Sequence, residues 1–186
     1  MGGAHPHAGL ETVTLFLEGN VADKDDTTPG DAQWMTAGRG VIYSENILAA
    51  GRSRILQLWI RLPKADRSVP PRVQLLRKAT LPIRREPGAE VRLYSGSLAI
   101  GRRRDTGGDG PGRWLDRPVG NGASALRWDG GERGARVVLY AGQPQREPLI
   151  HHGPFVAAAE SELVRLFTEY RAGRFQRLSQ LTSTVA

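Results

Sequence analysis

The chain has 186 residues, 39% hydrophobic and 24% charged, which is too apolar for wholesale disorder and enough for one large domain or two small ones. Cysteine is absent, so disulfides and thiolate metal sites are excluded and any metal must sit on nitrogen and oxygen donors. The net charge of +7 comes mostly from arginines scattered among acidic residues, and the densest run, GRRRDTGGDGPG (101–112), is Gly-rich loop; nucleic acid is not expected as a partner.

No apolar run approaches the ~20 residues of a membrane span, and MGGAHP carries neither a signal-peptide core nor a myristoylation motif. No membrane partner is expected, and the expected location is cytoplasmic. Frequent Gly and Pro between short apolar runs favour an all-β sandwich or barrel.

In chain order, the first feature is His5-Pro6-His7, two imidazoles one residue apart. On a strand, residues i and i+2 share a face with α-carbons roughly 6–7 Å apart, so HPH can form half of a metal site. If no sheet held it, this terminus would fray. LETVTLFLEGNV (10–21) reads as a strand closed by Gly19, and DKDDTTPGD (23–31) as a turn. AQWMTA (32–37), VIYSENI (41–47) and RILQLWIRL (54–62) read as strands, the last with the clearest alternation, and GRG (38–40) as a turn. PKADRSVPPR (63–72), with three prolines, reads as linker. A thinner β-region follows: EVRLYSGSL (90–98), WLDRPV (114–119), SALRW (124–128) and ARVVLYAG (135–142). AAAESELVRLFTEYRAG (157–173) places Leu163, Leu166, Phe167 and Tyr170 at helical spacing, with an Arg165–Glu169 pair and a stop at Gly173. The polar last ten residues are expected to fray.

The partner for HPH is sought in GRGVIYSE (38–45), where Tyr43 and Glu45 again sit at i and i+2. His5, His7 and Glu45 would make a two-histidine, one-carboxylate set of the kind that suits non-haem iron, with Mn, Ni, Cu or Zn as alternatives. Strict alternation from His7 puts Glu11 on the same face, as a reserve ligand or as a hydrogen-bonding partner of one. His151 and His152 read as surface or packing residues.

HPHAGLETVTLFLEG, PGDAQWMTAGRGVIYSE, LQLWIRLPKADRSVPPR and AGQPQREPLIHHGPFV, with the helix ending YRAGRF, resemble in that order the pirin family. The resemblance implies a mainly β bicupin, two RmlC-like jelly-roll barrels with one C-terminal α-helix. It implies a mononuclear metal, iron first, on His5, His7 and Glu45, with Tyr43 standing where the family has a third histidine. A phenolate at Tyr43 would favour Fe(III) over Fe(II); a neutral Tyr43 would leave an open position. Relative to the family, the chain is expected to be N-terminally short, with a reduced second barrel. The corresponding division is 1–62 N-terminal cupin, 63–88 linker, 89–156 reduced second cupin, 157–175 helix and 176–186 tail. The implied activity is of quercetin 2,3-dioxygenase type on a flavonoid-like molecule, with Glu45 as ligand and general base. The alternatives are a non-catalytic regulatory module binding a protein partner and a degenerate paralogue. An open barrel edge would invite a strand-swapped homodimer.

Overall fold

Thr, Val, Leu and Phe between residues 10 and 18 suit a pleated, enclosed strand, and they form the spine of the fold. A computed structural model describes residues 3–19, 27–44, 53–86, 88–96, 99–101, 113–119, 122–128, 130–142 and 144–185. In chain order the first strands are β1 (His5–His7), β2 (Leu10–Glu18), β3 (Ala32–Thr36), β4 (Val41–Tyr43), β5 (Arg54–Arg61) and β6 (Arg72–Leu76). Then come β7 (Ile83–Glu86), β8 (Ala89–Arg92), β9 (Ala99–Gly101), β10 (Arg113–Val119) and β11 (Gly122–Trp128). The chain ends with β12 (Ile150–His152), β13 (Phe155–Ala157), α1 (Glu160–Arg171), β14 (Gln176–Arg177) and β15 (Ser183–Val185).

The chain divides into two compact units, Met1–Thr80 with Pro144–Ala186, and Leu81–Gln143. In the first, a sheet of order β15-β6-β3-β2-β5 stands beside a second of order β1-β4-β14. Leu10, Met35, Ala37, Val41, Tyr43, Val73 and Leu178 form one buried cluster. Ala8, Phe155, Leu166 and Phe175 form another, with Ile42, Leu163 and Phe167 packed on it. β4 therefore serves two layers: Val41 and Tyr43 face one cluster, and Ile42 between them faces the other. In the second unit, β9, β10 and β11 form one antiparallel sheet and β7 and β8 a hairpin.

The helix keeps the expected stripe, with Leu166 buried and Leu163 and Phe167 against the aromatic cluster. Its first turn is closed by Glu162, which accepts from the Ala158 N–H at 2.8 Å. The expected Arg165–Glu169 pairing gives way to Arg174–Glu169 at 2.7 Å, because the chain turns back after Gly173 (φ 69).

Three stretches differ from the sequence expectation. Residues 63–88, expected as linker, hold a 3₁₀ turn at Lys64–Asp66, the sheet strand β6 and β7. The prolines interrupt regular structure, yet Arg67 anchors the turn: it is 2% exposed, donates to the Leu62 carbonyl at 3.0 Å and pairs with Glu162 and Glu147. The tail does not fray, since β14 pairs in parallel with β4 and β15 with β6. ARVVLYAG forms no strand: residues 134–142 have no regular structure, and Val137 and Tyr140 are 51% and 40% exposed. Its apolar residues satisfy a propensity but bury against no ladder.

Gly40 (φ 140) sits where a Cβ would collide with the Phe175 ring, whereas Gly96 (φ 84) faces open space. Gly96→Ala should therefore cost about 1–2 kcal/mol of unfolding free energy, from backbone strain alone. Gly40→Ala should cost about 3 kcal/mol or more, because the ring must also move. Urea titration of the two variants checks the difference.

Candidate metal centre

β1 and β4 pair antiparallel, with His5 opposite Tyr43, Pro6 opposite Ile42 and His7 opposite Val41. Residues directly opposite share a face, as do i and i+2, so His5, His7 and Tyr43 project together. Their rings form a triangle: 4.8 Å between His5 and His7, 5.7 Å between His5 and Tyr43, and 5.6 Å between His7 and Tyr43. His7 is 1% exposed and Tyr43 3%. The sheet that this terminus needs in order not to fray is supplied by β4.

Two details decide the donor chemistry. His5 Nδ1 lies 2.8 Å from the Gly3 carbonyl oxygen. A carbonyl only accepts, so Nδ1 carries a proton and Nε2 is the ring nitrogen left to coordinate. His7 Nδ1 is buried and, among the described residues, has no hydrogen-bond partner. Burial first, and then the neighbouring His5, push the His7 imidazole down to about 4, so it is neutral at pH 7. An orphaned, neutral imidazole nitrogen beside a second imidazole and a phenol fits a cation that takes nitrogen and oxygen donors.

The β5 strand forms the adjoining wall. Trp59 packs edge-on against His7 at 4.9 Å and donates its indole N–H to Gln57 Oε1 at 3.1 Å. Gln57 Nε2 donates to the Thr14 hydroxyl at 2.9 Å and to the Tyr43 oxygen at 3.5 Å. The β2–β5 register places Gln57 opposite Thr14 and Trp59 opposite Thr12, so these four share the face that meets His7 and Tyr43. Gln57, Trp59 and Thr14 were not anticipated as site residues. The alternation of RILQLWIRL did place Gln57 and Trp59 on one face, but nothing in the sequence names the strand opposite.

Glu11 does not join the site. It accepts a 2.6 Å hydrogen bond from the Thr36 hydroxyl, and Arg72 in turn donates to that hydroxyl at 3.2 Å. Alternation from His7 fails because Gly9 (φ 75) breaks the strand between β1 and β2. Glu45 lies outside the described residues. Among the described residues no group of three or more His, Asp or Glu gathers as a metal site; what is described is two imidazoles and a phenol. His151 and His152 lie exposed on β12, where His152 packs on Phe167 at 5.3 Å, a surface and packing role as expected. No described helix is long and apolar enough to cross a membrane.

Comparison with known proteins agrees with the residue reading. The Pirin family model matches residues 2–60, and that of the Pirin C-terminal cupin domain matches residues 73–176. A pirin-like protein of Caulobacter vibrioides is 32% identical, covering 92% of this chain and 79% of its own length. A putative quercetin 2,3-dioxygenase of Pseudomonas aeruginosa is 28% identical over 94% of this chain and 79% of its own. Among solved structures, a quercetin 2,3-dioxygenase from Acinetobacter baumannii aligns with a TM-score of 0.66 at 22% identity, covering 93% of this chain and 78% of that one, a likeness of fold. The fold is a cupin, mainly β, with one α-helix among the described residues.

His7 makes the chain acid-sensitive. Its folded value of about 4 lies below the unfolded value of 6.5, so the unfolded chain takes up the proton first. Its contribution is complete above pH 6.5 and is lost as pH falls toward 4, amounting to about 2–3 kcal/mol. Urea unfolding of the EDTA-treated chain at pH 7 and pH 4.5 should show that loss, and His7→Phe should lack it.

Proposed function

The chain belongs to the pirin family, and on that premise we propose that it is a metal-dependent cupin oxygenase of the quercetin 2,3-dioxygenase kind, with one mononuclear ion on His5 and His7. The observation that carries this reading is the buried His7 Nδ1, without a hydrogen-bond partner among the described residues, beside the His5 ring. A buried polar atom left unpaired costs about 1–3 kcal/mol, a penalty that a ligand-binding role explains. Iron is the first candidate, with Mn, Ni, Cu and Zn as alternatives. When bound, the ion would act as a Lewis acid that organises a flavonoid-like substrate and dioxygen.

The chain's own groups have distinct tasks in this reading. The Gly3 carbonyl holds His5 in the tautomer whose Nε2 can coordinate. Burial keeps His7 neutral and its nitrogen available. Trp59, 48% exposed, offers an indole face at the rim for a flat aromatic molecule. Glu45 is assigned as the carboxylate ligand and as acceptor of the substrate hydroxyl proton.

A second reading, a non-catalytic module that binds a protein partner, draws on the exposed run Val137, Val138, Leu139 and Tyr140 in the second unit. A degenerate paralogue would share that feature without a partner. The readings separate by assay. EDTA-treated chain reloaded with Fe, Mn, Ni, Co or Cu should consume quercetin under air, followed by loss of its absorbance. His7→Phe should lower the rate by about 100-fold or more. Absence of turnover with every metal, together with a stoichiometric protein partner in pull-down, would overturn the oxygenase reading in favour of the second.

A further inference from the structure

The hydrogen bonds around Gln57 determine the character of the third ring in the site. An indole N–H can only donate, so the Gln57 atom 3.1 Å from Trp59 Nε1 must be the amide oxygen. The other end of the amide is then Nε2, which can only donate, and it faces the Thr14 hydroxyl at 2.9 Å and the Tyr43 oxygen at 3.5 Å. Reversing the amide would set its N–H against the indole N–H. The Tyr43 oxygen therefore accepts from Gln57, whose amide N–H fixes where that oxygen lies beside the two histidine rings. The ring itself is fixed, because Tyr43 lies opposite His5 in the β1–β4 register and belongs to the buried cluster with Leu10 and Met35.

We propose that Tyr43 is an anionic oxygen ligand beside His5 and His7, with Gln57 as its positioning residue, and that the centre is thereby tuned to ferric iron. The proposal rests on the reading of this site as a metal centre. Imidazole donors bring no negative charge to a cation; a phenolate would add one to that of the Glu45 carboxylate proposed above. A hard, anionic oxygen favours a trivalent ion over a divalent one. To hold a ferric ion, Tyr43 would give up its O–H proton to solvent and offer the freed oxygen as the ligand. Iron enters as Fe(III), so no electron is transferred and no co-reactant is required. Gln57 Nε2 then donates to the coordinated oxygen, drawing electron density from it and limiting its donor strength.

The full chain is treated with EDTA, dialysed against ferric citrate at neutral pH, and examined by elemental analysis and visible absorption. The expected result is one equivalent of iron and a phenolate-to-iron charge-transfer band. Tyr43→Phe and Tyr43→His should lose the band while keeping wild-type circular dichroism. Gln57→Leu should keep the band but move it to longer wavelength, since a phenolate relieved of its hydrogen bond is the better donor. Bound iron without a band, or a band that survives both Tyr43 variants, overturns the proposal; the metal-centre reading then stands if Zn(II) or Mn(II) still binds at one equivalent. A band unmoved in Gln57→Leu overturns the role of Gln57. A chain that binds no ion of either valence overturns both readings.

Discussion

Three residue pairs between β1 and β4 carry the site. That short antiparallel contact sets His5 opposite Tyr43 and, one step on, buries His7 among the rings of His5, Tyr43 and Trp59. A contact this short is weak in isolation, and the rest of the first unit reinforces it. β14 pairs with the other edge of β4 through Gln176 and Arg177. Phe175 fills the space that Gly40 leaves by having no side chain, and Val156 donates its N–H to the Ala8 carbonyl. Residues from the two ends of the sequence thus grip the same strand.

The C-terminal return explains how a site at one terminus can be ordered. Helix α1 closes over Ala8 and Phe155, and Arg67, buried, joins the segment after β5 to Glu162 at the helix start and to Glu147 on the approach. Breaking such a buried charged junction usually destabilises strongly, because the groups left behind keep their desolvation cost. The rigidity is spent on the site: a buried imidazole nitrogen without a partner among the described residues, and two histidine rings packed edge to face, oppose folding and persist because their surroundings hold them.

Much of this was legible in the sequence, for local reasons. Strand-forming composition between turn residues located β2 and β3, period-two alternation located β5, and helical spacing located α1. His5 and His7 were legible as a pair because i, i+2 spacing on a strand is a local property; Tyr43 joined them through the family resemblance, since its place opposite His5 depends on strand register. Glu11 was misplaced because one positive-φ glycine, Gly9, shifts the phase of the strand after His7. The tail and the supposed linker were misread because their order comes from partners far away in sequence: β15 on β6, and Arg67 on Glu147 and Glu162. ARVVLYAG was read as a strand on propensity alone, which does not decide burial. Gln57 escaped notice because its role depends on strand register, which no local pattern encodes.

The most direct test is nitrogen-15 NMR of the four histidines in the metal-free chain during titration with Zn²⁺, a closed-shell ion that leaves the spectrum sharp. The account predicts that the His5 and His7 ring nitrogens shift together and saturate at one equivalent, while His151 and His152 keep their positions. Shifts confined to His151 and His152, or a His7 resonance unmoved at saturating zinc, would contradict it.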